Sequence, residues 1–489
     1  MVTRNTKILK NVFLSVGDNR LQLADVYFDD QIDEIIPRTN QIIDWQQIST
    51  REKWKKFQQE ITPATFAQDA KIYDGKFLLV MPGAIDSHVH FNTPGFEERE
   101  DFEHGSLAAA CGGVTTVIDM PCTSLPPVTS VENLKTKIQA IKGRSWIDYA
   151  FWGGVSGNDF QMGENVDEQI QDLKKVGVVG FKAYFLSGMY TFTDLNFDQM
   201  SAIADIIELT NGILAVHAED KVLVGQRNQA FQQMGLIDWR AYCQARDDLA
   251  EAKAVTLVIE IARRTDCRIH IVHLSSKLGL EQIEKAQKEG LKITTETCPH
   301  YLYFTEEDFK NSAISAYLKT APPVKKATDR EALWRGLKDG AISIVTTDHA
   351  GCNPIKEKSS WNFWKVYSGI PGVEHRVPFL FSEGFKKGRL KLSQTIDLLS
   401  TNVALLFDLV DTKGSLDPGN DADMALINLW EKQIIKSENM HSKGKYTPFD
   451  GVTFEAVVDS TFLRGQLVVN RDGESEVKLG YGKPLFVEQ

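Results

Sequence analysis

Cysteine is scarce in this sequence, and its six cysteines are scattered over 489 residues. No C-x-x-C pair occurs, which argues against the spacing of a structural zinc site or a redox motif. Isolated thiols also argue against a disulfide framework, because disulfide-stabilised domains use closely spaced, even sets of cysteines. We therefore expect reduced thiols and a cytoplasmic protein.

Long apolar runs and excess positive charge are also missing. The first twelve residues are polar, and no stretch approaches the roughly eighteen apolar residues of a membrane-spanning helix, so we expect no signal peptide and no membrane partner. The net charge of −11 argues against nucleic acid as a partner, since nucleic-acid binding needs a basic surface.

A dinucleotide-binding glycine motif is absent as well. No G-x-G-x-x-G opens a helix-like segment, so we expect no organic cofactor of that kind. What is present is the ordinary composition of a globular protein, with 42% hydrophobic and 25% charged residues. The length allows one large domain or two, with ample core.

The two ends of the sequence share a β pattern. Residues 1–80 are mostly short, alternating and turn-rich, apart from a charged and aromatic stretch at about 44–70 that predicts an inserted helix. Turn and strand signals return in residues 412–489. The simplest packing joins both ends into one small composite β-sandwich domain.

The middle of the sequence, residues 81–411, has a different rhythm. Short uninterrupted apolar runs alternate with longer amphipathic segments, which indicates parallel strands with helical crossovers. Eight such units favour an α/β fold of the (β/α)8 TIM-barrel type over an open sheet. The predicted strands span residues 78–85, 114–120, 149–155, 178–185, 213–218, 268–274, 292–297 and 342–347.

Polar side chains end several of these strands, where barrel enzymes place their chemistry. His88 and His90 are two residues apart, so on a strand they face the same side and can bind one metal ion. A single histidine there is more simply a hydrogen-bonded core residue, but a set in equivalent positions predicts a metal centre. The set comprises His88, His90, Lys182, His217, His273 and Asp348.

Lys182 lies inside an apolar run, where an unpaired ammonium is costly. A protonated amine cannot bind a metal, whereas carboxylation by carbon dioxide would give an anionic carbamate. Its two oxygens could bridge two cations about 3.5–4 Å apart. The alternatives are a lysine whose ammonium reaches the barrel mouth and a Schiff-base nucleophile of an aldolase-type barrel. The Schiff-base chemistry would not require four strand-end histidines.

Further motifs accompany this set in chain order: Gly112-Gly-Val-Thr-Thr116, Gly180-Phe-Lys182, His217-Ala-Glu219, His273-Leu-Ser275, Thr297-Cys-Pro-His-Tyr301, Thr347-Asp-His349 and Asp417-Pro-Gly-Asn-Asp-Ala-Asp423. Over essentially its whole length the sequence resembles the cyclic amidohydrolases of the amidohydrolase superfamily, which include dihydroorotases, allantoinases, hydantoinases and dihydropyrimidinases. The resemblance implies the barrel, the composite β-sandwich and a homodimer or homotetramer.

The resemblance also implies the chemistry. Two divalent metal ions, expected to be zinc, would be bridged by carboxylated Lys182, with His88, His90 and Asp348 on one ion and His217 and His273 on the other. A metal-bridging hydroxide would attack the carbonyl of a cyclic amide or ureide, and Asp348, the catalytic residue, would carry the proton to the leaving nitrogen.

Substrate preference depends on the residues around this set. Asn92 stands where dihydroorotases carry a carboxylate-binding arginine, and Asn92-x-Pro-Gly95 resembles the allantoinase motif. Ser187 stands where dihydropyrimidinases carry a tyrosine. We therefore expect an allantoinase-like enzyme, with a dihydroorotase-like or hydantoinase-like enzyme as the alternative and a non-catalytic scaffold homologue as a different class. The predicted substrate-binding residues are Asn92, Thr123, His300 and His349.

Overall fold

The computed structural model of the protein describes residues 7–62 and 70–485. It shows a mixed α/β fold with one large mixed sheet and two parallel sheets. The predicted insertion contains the helices Trp45–Ile48 and Arg51–Glu60, and its part 63–69 lies outside the described residues, as do the ends 1–6 and 486–489. Within the described part of the chain, no helix has the length and apolar character needed to cross a membrane.

The large mixed sheet combines strands from both ends of the chain. Strand Leu79–Pro82 pairs antiparallel with Met424–Asn428 and in parallel with the first strand, at Phe13. In the first strand Ile8, Leu9, Val12 and Phe13 are buried, and a register shift between Leu9 and Val12 breaks the regular alternation of a strand. Its eight strands are Lys7–Ser15, Arg20–Phe28, Ile32–Asp44, Lys71–Asp74, Leu79–Pro82, Met424–Asn428, Val457–Leu463 and Gln466–Asn470. A separate hairpin pairs Gln433–Ile434 with Thr453–Phe454.

The strands of the two parallel sheets neighbour one another in chain order, except that the last of them, His349–Ala350, pairs with the first, Ala84–His90. The four-stranded sheet ends at Phe151, and the six-stranded sheet begins at Gly153, with only Trp152 between them. The first sheet holds His349–Ala350, Ala84–His90, Val114–Asp119 and Asp148–Phe151; the second holds Gly153–Gly154, Phe181–Tyr184, Ile213–His217, Arg268–Ile271, Ile293–Thr297 and Ile344–Val345.

The first predicted strand, residues 78–85, is in fact two strands. Leu79–Pro82 belongs to the mixed sheet and Ala84–His90 to a parallel sheet, with Gly83 between them. A Cβ added to Gly83 would lie 2.1 Å from the Thr115 hydroxyl oxygen, so only glycine allows the chain to cross here. The uniform apolar character of the run hid this break.

Helices connect most of the parallel strands, and the longer ones bury apolar residues along one face. Val166–Lys175 is typical: Asn165 caps its first turn, and Val166, Ile170 and Leu173, spaced along one face, are buried. The remaining helices are Phe102–Cys111, Val131–Ile141, Gly157–Met162, Phe197–Leu209, Lys221–Gln233, Trp239–Ala245, Asp248–Thr265, Lys277–Lys288, Pro299–Tyr303, Ala327–Asp339, Pro354–Glu357, Arg376–Phe379, Leu392–Leu399 and Thr401–Leu406, with a π-helical turn at Leu380–Lys386.

A buried ion network joins the C-terminal segment to the parallel strands. The Lys413 ammonium lies 2.8 Å from Asp148, 2.8 Å from Asp421 and 2.7 Å from Asp423. Arg464 contacts Asp148 as well. Three converging carboxylates could otherwise hold a cation, and here the lysine fills that position.

Candidate metal centre and active site

Three predicted ligands meet where the first and last parallel strands end. His88 and His90 point to the same side of strand Ala84–His90, and both are buried. Their Nε2 atoms lie 3.2 Å and 3.1 Å from Oδ1 of Asp348. The three side chains offer ligand atoms within 4.8 Å of one another, which is close enough to hold one metal ion.

Two more predicted ligands meet on the neighbouring strands. Nδ1 of His217 lies 2.9 Å from Nε2 of His273, and the His273 ring packs 5.5 Å from that of His88. Burial lowers the pKa of His217 and of His273, which favours the neutral imidazole that metals bind. The four histidines therefore form one continuous cluster.

Lys182 lies beside this cluster and is fully buried. Its Nζ has no hydrogen-bond partner among the described residues, and burial lowers its pKa to about 8. A buried amine without a partner is costly as an ammonium. An amine that is readily deprotonated can take up carbon dioxide, so the orphaned atom and the surrounding nitrogen and carboxylate donors fit a carbamate-bridged pair of divalent cations.

Two carboxylates orient these histidines from behind. Glu296 contacts Nδ1 of His88 and lies 3.1 Å from Nε2 of His270. Glu219 lies 2.8 Å from Nε2 of His217 and is paired with Arg246. Such partners fix the ring orientation of metal-binding histidines.

Neither role was predicted from the sequence. Glu219 stands two residues after His217, and Glu296 lies within strand Ile293–Thr297. The sequence did contain a signal for these roles, because each carboxylate lies at or beside a strand end and close to a predicted ligand.

A cavity of about 310 Å³ opens over the cluster. Tyr184 lines it because it lies two residues beyond Lys182 on strand Phe181–Tyr184, and it therefore faces the same side. The wall has polar and aromatic parts, as expected for a pocket that binds a small polar ring. The other lining residues include Phe96, Arg99, Cys122, Thr123, Met189, Arg246, Thr320, Ala321, Tyr367, Ser368 and Gly369.

Of the four predicted substrate-binding residues, Thr123 lines this cavity, and its hydroxyl lies 3.1 Å from Nδ1 of His90. Asn92 is buried with φ of 58°, and its side-chain nitrogen has no partner among the described residues. His300 is buried too, and its Nε2 likewise lacks a described partner. His349 contacts Glu100 through Nε2. Asn92, His300 and His349 are not among the residues that line the cavity.

This arrangement recurs in a known family. Residues 79–468 match the model described as the amidohydrolase family. The chain belongs to the amidohydrolase family. The superfamily predicted from the strand-end motifs is thereby confirmed.

Similar proteins with assigned activities include allantoinases and a hydantoinase. The chain is 35% identical over 424 residues to the allantoinase of Bacillus licheniformis, covering 84% of this chain and 90% of that protein. It is 34% identical over 407 residues to the allantoinase of Saccharomyces cerevisiae, covering 82% and 85%. Among solved structures, the L-hydantoinase (dihydropyrimidinase) of Arthrobacter aurescens superposes with a TM-score of 0.86 at 28% identity, covering 98% of this chain and 99% of that one.

Proposed function

We propose that this amidohydrolase opens the ring of a cyclic amide or ureide by hydrolysis, in the manner of an allantoinase. The six predicted ligand positions carry this proposal: five of them line one cavity, and the sixth, Lys182, is buried beside them with an unpartnered Nζ. An intact set argues against a non-catalytic scaffold. The four clustered histidines argue against a Schiff-base enzyme, which would have no use for them.

The proposed metal centre has two parts. His88, His90 and Asp348 would hold one divalent cation, His217 and His273 the other, and Lys182 as a carbamate would contact both. Two bound cations, zinc by our proposal, supply a nucleophilic hydroxide at neutral pH and polarise the carbonyl under attack. No organic cofactor is needed for this chemistry.

The protein's own residues perform the remaining tasks. Asp348, the proposed catalytic residue, lies at the centre of the cluster and accepts the proton of the attacking water, then returns it to the leaving ring nitrogen. Glu219 and Glu296 keep His217 and His88 in fixed orientations. The cavity walls surround the ring and limit access of bulk water.

We further infer that the two parallel sheets form one (β/α)8 barrel over residues 81–411. The gap of a single residue between the sheets and the similarity to the hydantoinase fold support this. Residues 1–80 and 412–489 would form the composite β-sandwich, since their strands share a sheet. A cytoplasmic homodimer or homotetramer remains our proposal.

Allantoin is the first substrate to test, because several relatives at 31–35% identity are allantoinases. Asn92, Thr123, His300 and His349 remain proposed substrate contacts, and only Thr123 has support from its position on the cavity wall. A hydantoin is the second candidate, favoured by the structural similarity to hydantoinases.

The experiment is a ring-opening assay of metal-replete protein with allantoin, hydantoin, dihydrouracil and dihydroorotate. We expect allantoin to be opened fastest and Asp348→Asn to remove the activity. If none of the four rings is opened, the proposed function is contradicted.

A further inference from the structure

Two arginines in the cavity wall share one arrangement. Nε and Nη2 of Arg99 lie 2.8 Å and 2.7 Å from Oε1 of Glu357. Nε of Arg246 lies 3.0 Å from Oε1 of Glu219, and its Nη2 contacts the other carboxylate oxygen. No group in the described part of the chain accepts a hydrogen bond from Nη1 of either arginine. Each guanidinium is therefore held on one side and keeps a free donor.

Both arginines line the cavity, and each lies against a tyrosine ring. The guanidinium of Arg99 lies over the Tyr367 ring at 4.7 Å, and that of Arg246 over the Tyr242 ring at 5.5 Å. The Tyr242 hydroxyl lies 3.3 Å from the hydroxyl of Ser368, the neighbour of Tyr367 in the chain. The stacking orients both planar groups without using up their outer hydrogen-bond donors.

Two buried lysines lie directly behind this wall. Lys319 Nζ donates hydrogen bonds to the carbonyls of Phe363 at 2.6 Å and Val366 at 2.5 Å. Lys358 Nζ donates to the carbonyls of Tyr367 at 2.8 Å and Gly369 at 2.9 Å. These bonds tie the segment that contains Tyr367 and Gly369 to the rest of the cavity.

Neither lysine has a carboxylate within 4.0 Å among the described residues, in contrast to Lys137 and Lys413, which are also buried. Burial lowers the pKa of Lys319 and of Lys358 to about 7. Hydrogen bonds to carbonyl oxygens satisfy the ammonium protons but do not neutralise the charge.

At pH values up to about 7, where Lys319 and Lys358 carry their extra proton, this part of the cavity has an excess of positive charge. Arg99 and Arg246 are each balanced by one glutamate, whereas Lys319 and Lys358 are not. A buried charge without a counter-ion is unfavourable, and an anion bound in the cavity would reduce that cost. We call Arg99, Arg246, Lys319 and Lys358 the cationic wall.

We propose that the cationic wall is a subsite for a carboxylate group, with the outer Nη1 atoms of Arg99 and Arg246 as its direct donors. The inference rests on the proposed function and narrows it: the carboxylate belongs either to an acidic substituent of the ring or to the ureido acid that forms when a neutral ring such as allantoin is opened. Asn92 offers no such charge, so the wall would replace the arginine missing from that position.

The first test compares two substrates that differ only in charge, hydantoin-5-acetic acid and its amide. We expect kcat/KM to favour the acid by at least about tenfold, the effect of one hydrogen bond to a charged group. Arg99→Gln should bring the ratio close to one, and Arg99→Lys should give an intermediate value. Arg335→Gln is the matched control, because Arg335 forms an exposed ion pair with Glu284 away from the cavity.

The second test measures binding without turnover. The affinity of N-carbamoylglycine, a ring-opened ureido acid, is compared by calorimetry with that of its neutral amide, in wild type and in Arg99→Gln. If the substituent is the ligand, the acid preference appears in kcat/KM. If the product carboxylate is the ligand, the preference appears in the binding of N-carbamoylglycine.

Each result has a definite meaning. A charge preference in either test that Arg99→Gln reduces and Arg335→Gln preserves supports the subsite. Equal values for acid and amide in both tests, or a preference that survives Arg99→Gln, would overturn it. If neither hydantoin is opened, the proposed function fails, and the binding comparison still decides whether the subsite exists.

Discussion

His217 and His273 lie 56 positions apart in the chain, yet Nδ1 of one stands 2.9 Å from Nε2 of the other. The parallel pairing of strands Ile213–His217 and Arg268–Ile271 brings them together. Two neutral imidazole nitrogens pointing at the same space can both bind a cation placed there. Because 2.9 Å is also a hydrogen-bond distance, the proposal of a metal centre rests on the whole cluster, including Asp348 and the unpartnered Nζ of Lys182.

Lys182→Ala tests the proposed bridging group. We expect the variant to lose at least about a hundredfold in ring-opening activity, because the bridging carbamate could no longer form. Short-chain carboxylic acids added with metal should restore part of the activity. The control is Lys175→Ala at an exposed lysine, which should leave activity unchanged. Full activity in Lys182→Ala would rule out the bridge.

Glu296→Gln tests the orientation of the histidines. Glu296 contacts His88 and His270 and accepts a hydrogen bond from the backbone N–H of His273. Loss of such a carboxylate should weaken metal binding by about 10- to 100-fold. Metal retained against a chelator is the measurement, with Glu289→Gln on the surface as control. Equal retention in both variants would leave Glu296 without the role assigned to it.

Lys413→Met tests the network between the C-terminal segment and the parallel strands. Removing the cation leaves Asp148 and Asp423 buried without it, which should lower the free energy of unfolding by about 3–5 kcal/mol. Lys292→Met, which breaks an exposed pair with Asp266, should have a much smaller effect, because solvent screens exposed pairs. Urea unfolding measures both. A small effect in Lys413→Met would show that Arg464 suffices to hold the aspartates.

The two lysines of the cationic wall predict how stability depends on pH. Burial lowers their pKa from 10.5 to about 7, so between these values the unfolded chain binds more protons than the folded one. The free energy of unfolding should therefore rise with pH in this window, by up to about 1.4 kcal/mol per pH unit for each lysine. The cost of burying the two amines is therefore largest at and below about pH 7, and it has disappeared above pH 10.5.

Lys358→Met isolates this contribution. Urea unfolding between pH 7 and 10 should give a shallower rise in the variant than in wild type, because one titrating group is gone. The groups that act on Lys358 are Cys352 and Glu357, and those that act on Lys319 are Arg246, Cys243 and Lys358 itself. Rings of Tyr242, Tyr367 and Tyr446 lie against the two ammonium groups. Parallel curves for variant and wild type would contradict the assignment.

The clustering of the proposed metal ligands was predictable because it depends on strand periodicity. His88 and His90 share a strand face, and equivalent strand ends meet at one edge of parallel sheets, so local spacing and chain order suffice. The positions of the proposed substrate contacts were not predictable in this way. Asn92 follows the strand in a left-handed conformation with φ of 58°, and its place depends on the loop rather than on the strand period.

The cationic wall could not be predicted from the sequence for a similar reason. Arg99 and Lys358 lie on irregular segments far apart in the chain, and their relation depends on how these segments pack over the cavity. The division of residues 78–85 into two strands was also hidden, because Gly83 interrupts an apolar run that otherwise looks continuous.

The ring-opening assay with controlled metal content tests the central claim most directly. Protein stripped by a chelator should open none of the four rings, and addition of zinc to about two ions per chain should restore opening of allantoin or a hydantoin. Protein that binds two ions per chain and opens no cyclic amide or ureide, or that opens them equally well after stripping, would contradict the account.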